Sequence, residues 1–198
     1  MADAPQAVPR VIVVGVGALG SHVVLFGRNW PVKFTVIDFD RVESKNTMSQ
    51  FHAKPGIGKN KAQALQQAVQ GLYGLKIDAV PHELQDTNVE ALLGGANLVL
   101  DCVDNAPTRE RIQRFVRERS IPCLHGALAA DGAFARIVWD PLFVADEAAD
   151  GAATCEDGAH LPFVGFVAAQ LAAVVGGFLA RGEQRSLHLH PHGVVPVG

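Results

Sequence analysis

Glycine, aspartate and lysine occur in this chain at the spacings that nucleotide chemistry needs. Gly15-Val16-Gly17-Ala18-Leu19-Gly20 follows a β-branched run, Val11-Ile12-Val13-Val14. In a strand-to-helix turn of this kind Gly15 permits the tight bend, Gly17 lets a phosphate approach the backbone, and Gly20 lets the helix lie close on the strand. The helix start then offers N–H groups and the positive end of a dipole to an anion. Asp38-Phe39-Asp40 closes a second apolar run, Phe34 to Ile37. It places a carboxylate where ribose hydroxyls can donate to it. Lys61, in Gly58-Lys59-Asn60-Lys61 at a helix start, can neutralise phosphate charge. Asp104, in Asp101-Cys102-Val103-Asp104-Asn105, follows a continuous apolar run suited to a buried parallel strand. A carboxylate there can hold Mg²⁺ against phosphates. The glycine turn alone does not say whether the ligand is a dinucleotide or ATP.

These residues need a parallel sheet to bring them together. Strand, glycine turn, helix, strand and acid from Val11 to Asp38 form one mononucleotide-binding half of an open α/β sheet. Arg41 to Lys61 is polar, carries Pro55, Gly56 and Gly58, and reads as a long loop with short helical turns. A helix from about Asn60 should bury Ala62, Leu65, Val69 and Leu72 and end at Gly71 and Gly74. Leu19, Val23 and Phe26 share a face of the first helix. Ile77–Val80 and Leu98–Leu100 read as strands, with a short helix from Asn88 to Leu93 between them. The next helix is capped by Asn105 or Thr108. It turns Ile112, Phe115 and Val116 inward and Arg109, Arg111, Arg114 and Arg117 mostly outward as a solvated face. Asp101 reads well as a further capping acid. Cys123–Ala127 and Ala133–Trp139 are strands, and Asp140 to His160 a crossing loop. Phe163–Leu179 is a buried apolar helix, and the tail can add an edge strand before Pro191. The fold class is doubly wound α/β, Rossmann-like, with a mostly parallel sheet and helices on both faces. Residues 1–10 are expected to be a loose tail and 11–198 a single domain.

Composition narrows the function classes. The 198 residues are 48% hydrophobic and 19% charged, with a net charge of −3, so no basic excess points to nucleic acid or an anionic membrane. No apolar run is expected to reach the ~18 residues of a membrane span, and the first residues lack a signal peptide's layout. The expected location is the cytoplasm. Cys102, Cys123 and Cys155 are widely spaced and form no C-x-x-C pair, so no structural zinc is expected. His188, His190 and His192 alternate, but Pro191 interrupts them and no acidic partner is near, so they read as a histidine-rich tail rather than a metal site.

In order along the chain stand Gly15-x-Gly17-x-x-Gly20, Asp38-Phe39-Asp40-x-Val42-Glu43-x-x-Asn46-x-x-x-Gln50, Gly58-x-x-Lys61 and Asp101-Cys102-x-Asp104-Asn105. This set resembles the ThiF/MoeB/HesA family of E1-like adenylating enzymes, bacterial relatives of the ubiquitin-activating enzymes. Thr154-Cys155-Glu156-Asp157-Gly158, before Pro162-Phe163-Val164-Gly165, resembles that family's crossover loop and following helix. The resemblance implies binding of ATP and Mg²⁺ and attack of a C-terminal glycine carboxylate, carried by a small ubiquitin-like or sulfur-carrier (β-grasp) protein, on the α-phosphate. It matches Asp38 to the ribose-binding acid and Asn46 and Lys61 to phosphate contacts. Asp40, Gln50 and Asn105 complete the nucleotide-binding set. Asp104 matches the Mg²⁺ and adenylation acid, and Cys155 a crossover-loop cysteine that accepts the acyl group in some members. A homodimer, and an E2-like or sulfurtransferase partner, are the implied associations.

The chain also departs from this family. Ser49 stands where an arginine usually precedes the glutamine at Gln50, removing a charge-assisted contact worth roughly 1.5–3 kcal/mol. Arg41 and Lys45 lie in the same loop and can return the charge from another direction. Glu156 and Asp157 raise the Cys155 thiol pKa, which His160 offsets if it folds back. Cys102 and Cys123 read as core. The leading expectation is adenylation of a carrier protein's C-terminus. The alternatives are a catalytically weakened nucleotide-binding scaffold, and ATP-dependent activation of a small molecule or tRNA base. A nicotinamide-dependent dehydrogenase suits the loop with Asn46 and Lys61 less well.

Overall fold

The computed structural model describes residues 7–129, 131–144 and 158–197. The elements are β1 (Arg10–Val14), α1 (Ala18–Phe26), β2 (Lys33–Ile37), α2 (Lys61–Tyr73), β3 (Asp78–Val80), α3 (Val89–Leu93), β4 (Leu98–Asp101), α4 (Ala106–Arg119), β5 (Cys123–Leu128), β6 (Ala135–Trp139), α5 (Leu161–Arg181), β7 (Ser186–His190) and β8 (Gly193–Val197). One mixed sheet orders them β3-β2-β1-β4-β5-β6-β7-β8. The first five are parallel neighbours, and β5–β6, β6–β7 and β7–β8 pair antiparallel.

The β-branched run of β1 is buried on both faces, as a central parallel strand requires. Val11 and Val13 face α1, α2 and α5, in a core that includes Val23, Leu65, Val69, Val167 and Leu171. Ile12 and Val14 face α3 and α4, against Leu93, Ile112, Phe115 and Val116. The alternation of one strand thus builds both layers.

Several expected details differ. Phe26 is 40% exposed and Leu72 65%, because each lies in the last turn of its helix, past the apolar contacts that bury Val23 and Val69. β1 starts at Arg10, inside the expected tail, whose residues 1–6 lie outside the described residues. The tail after α5 forms a hairpin rather than one edge strand: Pro191 and His192 make the turn and His190 pairs with Gly193. α5, at 21 residues, is long and apolar enough to cross a bilayer, contrary to expectation. Its Phe163, Val167, Leu171 and Val175 are instead part of the core on the sheet.

Candidate active site

The chain leaves β1 through α1 toward β2, and leaves β4 through α4 toward β5, on the other side. In open α/β sheets such a reversal marks the crevice where ligands bind. The two strand ends touch there. A Cβ on Gly15 would lie 2.7 Å from the Cys102 carbonyl oxygen, and its φ of +82° suits glycine. A Cβ on Gly20 would lie 2.0 Å from the Gly15 carbonyl oxygen, so α1 packs on the turn only because that atom is absent. At Gly17 the nearest atom to such a Cβ is Gln50 Nε2 at 3.8 Å, and no side chain caps α1. The first turn of α1 keeps its dipole end for an anion.

Asp38 and His52 clamp this turn. Val16 N–H donates to Asp38 Oδ2 at 2.8 Å, and Asp40 N–H donates to Asp38 Oδ1 at 2.9 Å. His52 Nε2 donates to the Val16 carbonyl at 2.9 Å, which leaves Nδ1 as the acceptor of a neutral ring. Asn60 caps α2 through Gln63 N–H and donates to the carbonyls of Asp38 and Asp40. Lys61 therefore starts α2 beside the acids, and its Nζ pairs with Asp40 at 3.0 Å. Burial raises the Asp38 pKa above its ordinary value, against the Val16 bond and the Lys61 charge. Burial lowers that of His52 to about 4.

The loop that starts at Glu43 reaches α1 and the glycine turn through Gln50, Phe51 and His52. Asn46 and Glu43 form a reciprocal cap on a 3-10 turn, Ser44–Met48, with Glu43 N–H donating to Asn46 Oδ1 at 2.8 Å. Phe51 N–H donates to Ser21 Oγ at 2.9 Å. Ser49 Oγ, Gln50 Oε1 and His52 Nδ1 are buried without a hydrogen-bond partner among the described residues. Orphaned polar atoms of this kind are ordinarily met by water or by a ligand. The open Gly17 and the uncapped α1 fit a site for a nucleotide's phosphates. Of the orphaned atoms only the Ser49 hydroxyl can donate to one, whereas Gln50 Oε1 and His52 Nδ1 accept and call for a donor such as water. Arg41 donates to the Gly58 carbonyl at 2.7 Å, and Lys45 pairs with Glu43 at 3.6 Å.

Asp104 is exposed in the turn after β4, and its carboxylate makes no hydrogen bond or ion pair within the described residues. One free carboxylate suits Mg²⁺, which keeps several waters and takes its other ligands from phosphates. Asn105 caps α4, accepting from Thr108 N–H at 3.0 Å. Asp101 is not the helix cap that its position suggested. It is fully buried, accepts from Val103 N–H and Arg109 Nε, and meets His125. Burial would raise its pKa, but the His125 bond and the Arg109 charge hold it below the ordinary value. Arg109 and Arg111 are likewise not a solvated face: Arg109 donates to Asp101 and to the Val103 and Gly126 carbonyls, and Arg111 pairs with Asp86, while Arg114 and Arg117 stay exposed.

The structure thus brings Gly15, Gly17, Gly20, Asp38, Asp40, Gln50 and Lys61 around one turn, with Asp104 and Asn105 following Cys102 on its far wall, while Asn46 is tied to the Gln50 N–H and to Glu43 in the adjoining loop. Cys155 lies outside the described residues. Sequence reasoning missed His52, the clamping role of Asn60, and the group Asp101, Arg109, His125 and Asp140. Asn60, placed just before a helix, carried a readable capping signal.

Comparison with known proteins follows this geometry. The ThiF family model matches residues 6–183. The SAMP-activating enzyme E1 of Haloferax volcanii is 33% identical over 122 residues, 60% of this chain and 45% of that protein. The molybdopterin-synthase adenylyltransferase of Salmonella typhimurium is 31% identical over 121 residues, 60% of this chain and 49% of that protein. The chain spans about half the length of these relatives. Among solved structures, E. coli MccB with ATP superposes with a TM-score of 0.77 at 14% identity, covering 96% of this chain and 63% of MccB, a likeness of fold.

Proposed function

This chain belongs to the ThiF family, and on that premise we propose that it uses ATP and Mg²⁺ to adenylate the C-terminal glycine of a small ubiquitin-like or sulfur-carrier protein. The observation that carries this reading is the contact of Gly15 with the Cys102 carbonyl, because it puts the glycine turn and the Asp104 turn on one crevice. The relatives' names, a SAMP-activating enzyme and an adenylyltransferase, support it.

In the reaction the substrate carboxylate oxygen bonds to the α-phosphorus as the bond to pyrophosphate breaks, so charge stabilisation and alignment are the main demands. The α1 N-terminus and Lys61 face the phosphates, Asp38 accepts from the ribose, and Asp104 holds the metal. Asn46 and Gln50 shape the loop above Gly17, with Asp40 directing Lys61 and Asn105 fixing the Asp104 turn. Cys155 is the candidate acceptor for a later acyl transfer. A homodimer, and a downstream E2-like or sulfurtransferase partner, are part of the same proposal.

Ser49 favours a second reading. It is 1% exposed at the position where the resemblance expects an arginine, and Arg41 and Lys45 are engaged with Gly58 and Glu43. That suits a nucleotide-binding scaffold of low turnover. Pyrophosphate–ATP exchange in the presence of β-grasp proteins ending in glycine separates the two. The enzyme reading expects carrier-dependent exchange that Asp104→Asn lowers by about 10²-fold while nucleotide binding persists. Background exchange with every carrier, alongside normal nucleotide binding, supports the scaffold instead. A hydroxylamine-sensitive adduct that survives in Cys155→Ser would remove that cysteine from the scheme.

A further inference from the structure

We propose that His125 is a positioning residue for the turn that carries Asp104, acting through Asp101 and Arg109. The inference rests on the role given to Asp104 above. Asp101 ends β4 and pairs in register with His125 on β5, and both side chains are fully buried. His125 Nδ1 lies 2.7 Å from Asp101 Oδ2, and its Nε2 lies 3.0 Å from Asp140 Oδ1. Both carboxylates are held ionised and only accept, so both ring nitrogens carry protons and the ring is a cation.

The hold passes from there to the turn. Asp101 Oδ1 accepts from Val103 N–H at 3.0 Å, and Asp101 Oδ2 also accepts from Arg109 Nε at 2.8 Å. Another Arg109 nitrogen donates to the Val103 carbonyl. Both peptide groups of the residue before Asp104 are therefore fixed by the pair that His125 holds. At the remote end Asp140 is anchored by Arg117 Nε at 2.7 Å and Gln113 Nε2 at 3.2 Å. Phe143 stacks on the His125 ring at 4.3 Å, and Cys123 Sγ lies 3.6 Å from Nε2. Among the described residues, the groups facing His125 are two acids, one thiol and one ring, with Arg109 and Arg117 beyond the acids.

A buried ionic chain adds little net stability over a packed apolar core. What it fixes is orientation, and the oriented end of this one is the Asp104 turn. Without His125, Asp101 and Asp140 lose the cation between them, and Asp101 is held by Arg109 alone, which fixes its orientation toward Val103 less tightly.

The test uses the full chain and the double variant His125→Gln/Asp140→Asn, which removes the cation together with one acid so that no unpaired charge is created at Asp140. Amide hydrogen exchange is read at Val103, with Val13 and Leu100 as internal controls. Protection of Val103 should fall about tenfold or more while the controls hold, as expected for a local opening. Equal protection at Val103 overturns the proposal, whatever the enzyme does. In pyrophosphate exchange kcat should fall by about 10²-fold with KM for ATP near wild type, the mark of a misplaced group rather than lost binding. A risen KM with kcat retained, or a kcat loss matched by loss of folded protein, also overturns it. If wild-type exchange is itself at background, the functional proposal fails and the Val103 reading alone decides this one.

Discussion

Val16 has both of its peptide groups held by side chains distant in sequence, and one of the holders is a histidine kept neutral. His52 donates one ring N–H to the Val16 carbonyl while burial drives its pKa down to about 4. The unfolded chain takes up that proton near the ordinary value of 6.5. The folded state therefore binds fewer protons between the two values. Its full advantage is present above pH 6.5 and is lost as pH falls toward 4, an effect on the order of 3 kcal/mol. His52→Gln should show a smaller drop in Tm between pH 7 and pH 5 than the wild type. Equal drops in circular-dichroism melts would contradict this. Nothing in the residue types announced His52, because its partner is a backbone carbonyl 36 residues away. His125 was equally illegible: it reads as one polar residue in a short strand until Asp101 and Asp140 are placed on either side of it. Asp38 and Lys61 were readable, since strand end and helix start fix their positions from local pattern alone.

Among the elements, α1 and α2 use glycine in opposite ways. Gly20 exists for contact: a methyl there would collide with the Gly15 carbonyl oxygen at 2.0 Å. Gly20→Ala should cost about 3 kcal/mol or more and abolish nucleotide binding. Gly71, inside α2, has nothing within 4 Å of its added Cβ. Gly71→Ala should stabilise by roughly 0.5–1 kcal/mol, because only the helix backbone notices the change. Denaturant midpoints of the two variants test both signs, and a destabilised Gly71→Ala would count against the α2 placement. The sequence marked both glycines but not their difference. The signature spacing identified Gly20, whereas Gly71 read as a helix end, and the helix in fact runs on to Tyr73 with Gly74 as its left-handed cap. Phe26 and Leu72 went wrong for a related reason: a periodic stripe tells which way a residue points, not whether the neighbouring layer reaches that far.

Across the molecule, the parallel half was legible because its strands are continuous apolar runs, and a run buried on both faces has few other uses. The antiparallel half was less so. Pro191 signals an interruption, and as a hairpin turn it interrupts only locally, so β7 and β8 extend the sheet. α5 joins the two halves. Leu171 is fully buried and contacts the space above Gly126 at 3.1 Å from a virtual Cβ, so it packs on β5 beside the site. Leu171→Ala should cost about 2–5 kcal/mol in chemical denaturation. A loss below ~1 kcal/mol would mean that the helix is not seated on the sheet as described.

The contact between Gly15 and the Cys102 carbonyl also has a consequence in time. Val11 pairs with Leu98, and Arg10 N–H bonds to Asn97 across 87 residues of chain. The complete glycine signature is synthesised early, but the strand it leans on arrives only after α2, β3 and α3 have been made. A nascent chain ending at Ala96 holds every residue of the motif and has no β4 wall to shape it. Long-range pairings of this kind form slowly, since the loop must close before any contact rewards it. Nucleotide binding should therefore appear late on the ribosome, as a step gained with β4 rather than with the glycines themselves.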